Sequence, residues 1–171
     1  MTIPQTPKAS AKHSPRRVAR LRAVQLLYQM EMTKTAPDQA MSMMVEQSGS
    51  KNGTTPGRMD EKFFRHLLAA SAIDPLALDK LIVAALPPTW PLERLDSVLR
   101  AVLRIAVVEL KANPDIPPLV TISEYVAIAH AFFGGKEPSL VNGLLHHLAQ
   151  QIRPTEMPSD IEDAPEPVNG A

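Results

Sequence analysis

Cysteine is absent from the 171 residues, which excludes disulfides and thiolate metal sites and is compatible with a reducing cytosol. Aromatic residues are nearly as scarce: one Trp, two Tyr and four Phe, 4% of the chain. A core must then be filled mainly by Leu, Val, Ile, Ala and Met, a composition that favours helix over strand. Long apolar runs are also missing. The most apolar stretch, VLRAVLRIAVVEL, is cut by Arg100 and Arg104, and MTIPQTPKASAKHSPRR at the start has no apolar segment of signal-peptide length behind it. Neither a membrane span nor export is expected, and a cytoplasmic location is.

Net charge is zero, with 18 basic and 18 acidic residues, but the signs are segregated. Up to Arg22 there are only cations: Lys8, Lys12, Arg16, Arg17, Arg20 and Arg22. From Thr155 onward there are only acids: Glu156, Asp160, Glu162, Asp163 and Glu166. Such polarity directs the search for a nucleic-acid partner to the basic end.

Read by periodicity, the chain is one helical domain over 15–153, preceded by a flexible basic arm at 1–14 and followed by a disordered acidic tail at 154–171. Ser14 and Pro15 open helix one, expected over 15–32, with Val18, Leu21, Val24 and Tyr28 at helical steps. Helix two is expected over 37–47. The stretch SGSKNGTTPGR at 48–58 reads as a flexible loop. Helices three and four are expected over 60–72 and 74–86, with Asp74 and Pro75 as cap and first-turn residue. PPTWP then breaks the pattern, with Trp90 as a packing plug, before a continuous apolar helix over 92–112. Thr121 and Glu124 have capping-box spacing for a sixth helix ending at Phe133. Pro138 opens a seventh, in which Gly143 suggests a close helix contact. The fold class is all-α.

Enzyme signatures are missing: there is no phosphate-binding glycine loop, dinucleotide fingerprint, zinc-protease histidine pair or nucleophile elbow. His146 and His147 are adjacent and face apart, so they cannot readily share a metal with each other, and His130 is remote in sequence. No cofactor or metal is expected. The arginines carry more information. Arg16 and Arg20 are four apart and Arg17 and Arg20 three apart, so three guanidiniums can share a helical edge and bridge successive phosphates. The alternative is a solubilising charge run paired with acids elsewhere. Tyr28 is open to two readings, a stacking platform for a base or a core tyrosine with its hydroxyl at the boundary.

Four segments, RRVARLRAVQLLYQ, WPLERLDSVLRAVLRIAVVEL, IPPLVTISEYVAIAHAFFG and PSLVNGLLHHLA, resemble in order and spacing the bacterial transcription antitermination factor NusB family. The resemblance covers about Arg16 to Arg153. It implies a seven-helix fold of two packed sub-bundles and a non-enzymatic role, binding the boxA element of ribosomal RNA transcripts together with NusE within the RNA polymerase antitermination complex. It also implies RNA contacts at Arg16, Arg17, Arg20 and Tyr28, with Lys136 and Leu140 at the start of helix seven. Ser139 and Leu140 stand where the family often has Lys-Phe, which removes a cation and a ring, and Lys136 nearby can supply the charge. Ser123 replaces the Asn usual before Glu-Tyr/Ala. Two other roles are considered: a module assisting ribosomal RNA modification, since similar domains precede certain ribosomal RNA methyltransferases, and a homodimeric structural bundle.

Overall fold

A computed structural model describes residues 14–49 and 58–158, with side chains omitted at 45–49. The basic arm before Ser14, residues 50–57 of the expected loop and the acidic segment after Pro158 lie outside the described residues. Within them are seven α-helices and no strand: α1 Pro15–Thr33, α2 Pro37–Gly49, α3 Glu61–Ile73, α4 Pro75–Ala85, α5 Ser97–Ala112, α6 Pro118–Phe132 and α7 Glu137–Ile152.

Local chemistry sets most boundaries. The Ser14 side chain accepts the Arg17 amide at 3.2 Å and Pro15 occupies the first turn of α1. Lys34 closes that helix in the left-handed region at φ 56°. Asp60 caps α3 through the Phe63 amide at 3.0 Å, and Asp74 caps α4 through the Ala77 amide at 2.9 Å. Each cap satisfies a helix-end donor that would otherwise need water.

Five expectations need correction. Leu92–Arg94 forms a separate 3-10 turn, and α5 begins only at Ser97, because the Asp96 side chain takes the Val98 amide at 2.8 Å and caps a new helix. Thr121 and Glu124 do not form a capping box. The sixth helix starts at Pro118 without a side-chain cap, and both residues face partners on other helices. Gly143 is exposed, and a Cβ built there would meet nothing within 4 Å. Finally, α2 continues to Gly49 and the start of the acidic tail is folded: Pro154–Glu156 make a 3-10 turn and Met157 is buried.

Helix α5 lies at the centre. It packs against α1, α3, α4, α6 and α7. Val98, Leu99, Val102, Leu103, Ile105, Ala106, Val107, Val108 and Leu110 are all buried. A helix enclosed on this scale leaves little solvent for the polar residues along it, and those that are buried or half-buried take partners. Arg104 places a fork on Asp79 of α4 at 2.7 and 2.9 Å and a further bond on Glu31 of α1 at 2.9 Å. Arg100 bonds the other Glu31 oxygen, the Ser97 hydroxyl and the Leu95 carbonyl. At the far end Arg153 donates to the carbonyls of Pro114 at 2.9 Å and Ile116 at 2.7 Å, tying the end of α7 to the α5–α6 connection.

Burial alone would raise the Glu31 pKa, but hydrogen bonds and charge from Arg100 and Arg104 outweigh it and hold the carboxyl below its ordinary value. A folded value below the unfolded one gives stability that is present above the ordinary carboxylate range and lost as pH falls through the folded value. Glu31→Gln should therefore cost about 1 to 2 kcal/mol at neutral pH, the range for charged hydrogen bonds discounted for partial exposure. In urea titrations the gap from wild type should narrow as pH falls below about 4.

Candidate nucleic-acid interface

The first turns of α1 carry the arginines to three different neighbours. Arg16 is exposed, with Nε 3.7 Å from an Asp60 oxygen and its guanidinium carbon 5.2 Å from the centre of the Phe63 ring. This contact docks it beside the start of α3, where the Asp60 amide also donates to the Pro15 carbonyl at 3.1 Å. Arg17 reaches the opposite flank, toward α6. Its Nε and Nη2 donate to the two oxygens of Glu124 at 2.8 and 2.6 Å, while its side chain remains 44% exposed. The hydrogen bond and charge of Glu124 raise the Arg17 pKa against a smaller effect of burial.

Arg20 is placed differently from the sequence expectation. Only 3% exposed, it points into the bundle beneath the Phe63 ring, 5.2 Å from its centre. Its Nε and Nη2 donate to Glu109 at distances from 2.7 to 3.1 Å. Glu109 is fully buried and also accepts the Thr121 hydroxyl at 3.1 Å and the Tyr125 hydroxyl at 2.8 Å. Burial would lower the Arg20 pKa, but the Glu109 hydrogen bond and charge raise it overall; burial and the same carboxylate push Tyr125 well above its ordinary value. The Arg20 fork is occupied internally and is not presented to a phosphate, because a buried charge is tolerable only when it is matched.

The remaining expected residues are set apart. Tyr28 is half-buried against the core and shares a helical row with Arg17 through Leu21 and Val24, about 16 Å farther along α1. Lys136 is exposed in the cap position of α7, and Leu140 is half-buried with its side chain against the core. Glu31 pairs with the start of α5 and Arg20 with its end, so α1 and α5 run antiparallel. Arg153, at the end of α7, bonds the carbonyls of Pro114 and Ile116 just past the end of α5, and the two helices pack together, which puts the start of α7 toward the start of α5. Arg16 and Arg17 are therefore brought together at one end of the bundle, with Tyr28, Lys136 and Leu140 toward the other. Of these, Tyr28 and Leu140 are alike in being half-buried against the core, and Leu140 has no ring to offer a base.

Sequence reasoning missed the acids that receive the arginines. A signal existed: Glu109 is the only acid in the apolar run of α5, and Thr121 and Tyr125, four apart, place two hydroxyls on one face of α6. Among the described residues no group of three His, Cys, Asp or Glu could hold a metal ion. No helix among them is long and apolar enough to cross a membrane.

Comparison with known proteins matches residues 17–150 to the NusB family model. The transcription antitermination protein NusB of Brucella ovis is 44% identical over 153 residues, spanning 86% of this chain and 88% of the relative. The protein of the same name from Granulibacter bethesdensis is 39% identical over 150 residues, spanning 83% of this chain and 91% of the relative. Among solved structures, T. maritima NusB superposes with a TM-score of 0.70 at 30% identity, covering 85% of this chain and 97% of that one.

Burial separates the arginines by their effect on stability. Arg20→Ala leaves Glu109 buried and short of its counter-charge, so it should cost about 3 to 5 kcal/mol. Arg16→Ala removes an exposed pair at 3.7 Å and a guanidinium contact with the Phe63 ring, and should cost about 1 kcal/mol. Urea unfolding of the two variants side by side checks the ordering, and equal midpoints would contradict it.

Proposed function

The chain belongs to the NusB family, and on that premise we propose that it acts as a transcription antitermination adaptor in the cytoplasm. It binds boxA RNA of ribosomal RNA operon transcripts together with NusE, carries out no catalysis, and works within the RNA polymerase antitermination complex. The observation that supports this best is the exposed pair at the start of α1. Arg16 and Arg17 stand exposed at the same end of the bundle on its two flanks, Arg16 steadied by Asp60, the cap of α3, and Arg17 by Glu124 of α6.

The proposed path for a single strand begins at Arg16 and Arg17 and follows α1 toward Tyr28 and Lys136. Guanidiniums take the phosphates, and the tyrosine ring offers its edge or face to a base. Arg20 and Leu140, both expected to touch RNA, are assigned to support instead: Arg20 anchors the arginine edge from beneath, and Leu140 packs against the edge of the core. The partly solvated forks of Arg16 and Arg17 suit this work. A cation already buried and satisfied gains little from a phosphate.

A second reading, self-association, draws on the corner between α3 and α4. Ile73 is 83% exposed and Leu76 73%, with Val83 exposed farther along α4. Single exposed apolar residues are ordinary, but a group invites a protein partner. Sedimentation of the chain alone separates the cases: mass rising with concentration favours a homodimer, and a constant monomer mass removes it.

Retention of boxA RNA by the chain plus NusE in a filter assay tests the adaptor reading directly. Arg16→Ala and Arg17→Ala should each flatten the slope of log affinity against log salt by about 0.7, the contribution of one phosphate contact on a single strand. Wild-type slopes in both variants would remove these arginines from the interface.

A further inference from the structure

We propose that Glu124 is a positioning residue for RNA binding, holding Arg17 in the orientation in which it meets a phosphate. The inference rests on the reading that Arg17 contacts RNA and adds a second residue to it.

A guanidinium has two edges that can each offer a pair of donors, one through Nε and a neighbouring Nη and one through both Nη atoms. Glu124 takes the first, accepting from Nε at 2.8 Å and Nη2 at 2.6 Å. The edge through Nη1 has no partner among the described residues, and the Arg17 side chain remains 44% exposed against 14% for Glu124. A long side chain that would otherwise sample many rotamers is thereby fixed with one donor edge left for an incoming anion. Fixing it before binding removes part of the ordering cost at the moment of binding.

The carboxylate is itself held from within. Its Oε2 lies 3.6 Å from Nη1 of buried Arg20, which is locked onto fully buried Glu109. Order is therefore transmitted outward from Glu109 through Arg20 and Glu124 to Arg17. Sharing Glu124 between two guanidiniums also lowers its net repulsion toward a phosphate. These contacts explain why an acid can sit on an RNA-binding edge without opposing it.

Charge alone and positioning predict opposite signs. Removing a negative charge beside a phosphate should tighten RNA binding, so Glu124→Gln that merely deletes a repulsive acid would increase affinity. If Glu124 positions Arg17, the same substitution weakens binding despite the more favourable charge. The expected loss is roughly three- to tenfold, within the coupling range for contacting residues. In an Arg17→Ala background there is no fork left to hold, and Glu124→Gln should then leave binding unchanged or tighten it.

The experiment measures affinity of the full chain with NusE for a short boxA RNA in wild type, Arg17→Ala, Glu124→Gln and the double variant, with melting temperatures alongside. Glu124→Asp is the second variant. It retains the charge beside Arg20 but withdraws the carboxylate by one methylene, so positioning predicts weakening and a purely electrostatic role predicts wild-type affinity. If Glu124→Gln does not fold, this variant carries the comparison. Weakening by Glu124→Gln that disappears without Arg17 supports the proposal. Unchanged or tighter binding by both Glu124 variants, with Arg17→Ala still weak, overturns it and leaves the Arg17 contact standing. Wild-type affinity in Arg17→Ala overturns the contact itself and the proposal with it.

Discussion

The buried pairing of Arg20 with Glu109 is the constraint to which the rest of the arrangement conforms. A carboxylate with no exposed surface on the central helix is tolerable only if its lone pairs are filled, and α1 and α6 supply the donors: a guanidinium from Arg20 and the hydroxyls of Thr121 and Tyr125. Three helices must therefore meet at one register. A slip of one residue along α1 would carry the guanidinium away from Glu109 and leave a charge in the core. Phe63 of α3 places its ring beside Arg20, so a fourth helix is keyed to the same point. Such a pair contributes less to net stability than its strength in isolation suggests, because both ions are desolvated. Its clearer consequence is geometric: competing packings of mostly aliphatic helices are penalised.

A second ionic cluster repeats this logic at the other end of α5. Arg100 and Arg104 emerge from the apolar helix and are received by Glu31 of α1 and Asp79 of α4. These groups are part-exposed, so water shares the work and the pairing is softer. Together the two clusters orient α1 antiparallel to α5 at both ends. Ordinary apolar burial then fills the space between, with interchangeable Leu, Val and Ile side chains that by themselves specify a register less sharply.

The arginines at the start of α1 divide according to depth. Arg20 faces inward and belongs to the fold. Arg16 and Arg17 lie at the surface on either flank, and each has an acid that steadies the fork without enclosing it. This resolves the apparent cost of crowding cations near a helix N-terminus, where the macrodipole opposes them. Asp60 at the cap of α3, Glu109 of α5 and Glu124 of α6 surround the group. The same acids order the surface guanidiniums that we assign to RNA.

Local signals in the sequence reached far. Helical periodicity, Pro in first turns and Asp or Ser caps give seven helices in the right order, because these depend on residues within a few positions of one another. The basic start of α1 was likewise visible as a candidate edge. Where the reading erred, a distant partner decided the outcome. Thr121 and Glu124 have capping-box spacing, yet Glu109 and Arg17 claim them across the bundle. Spacing alone makes Arg16, Arg17 and Arg20 one exposed set, but whether a guanidinium meets solvent or a buried carboxylate depends on which helix lies opposite. Thus the sequence by itself determined the helices and the concentration of cations at the start of the first. Tertiary structure decided which of those cations remain at the surface, because burying a charge requires a counter-charge that only packing can bring from far along the chain.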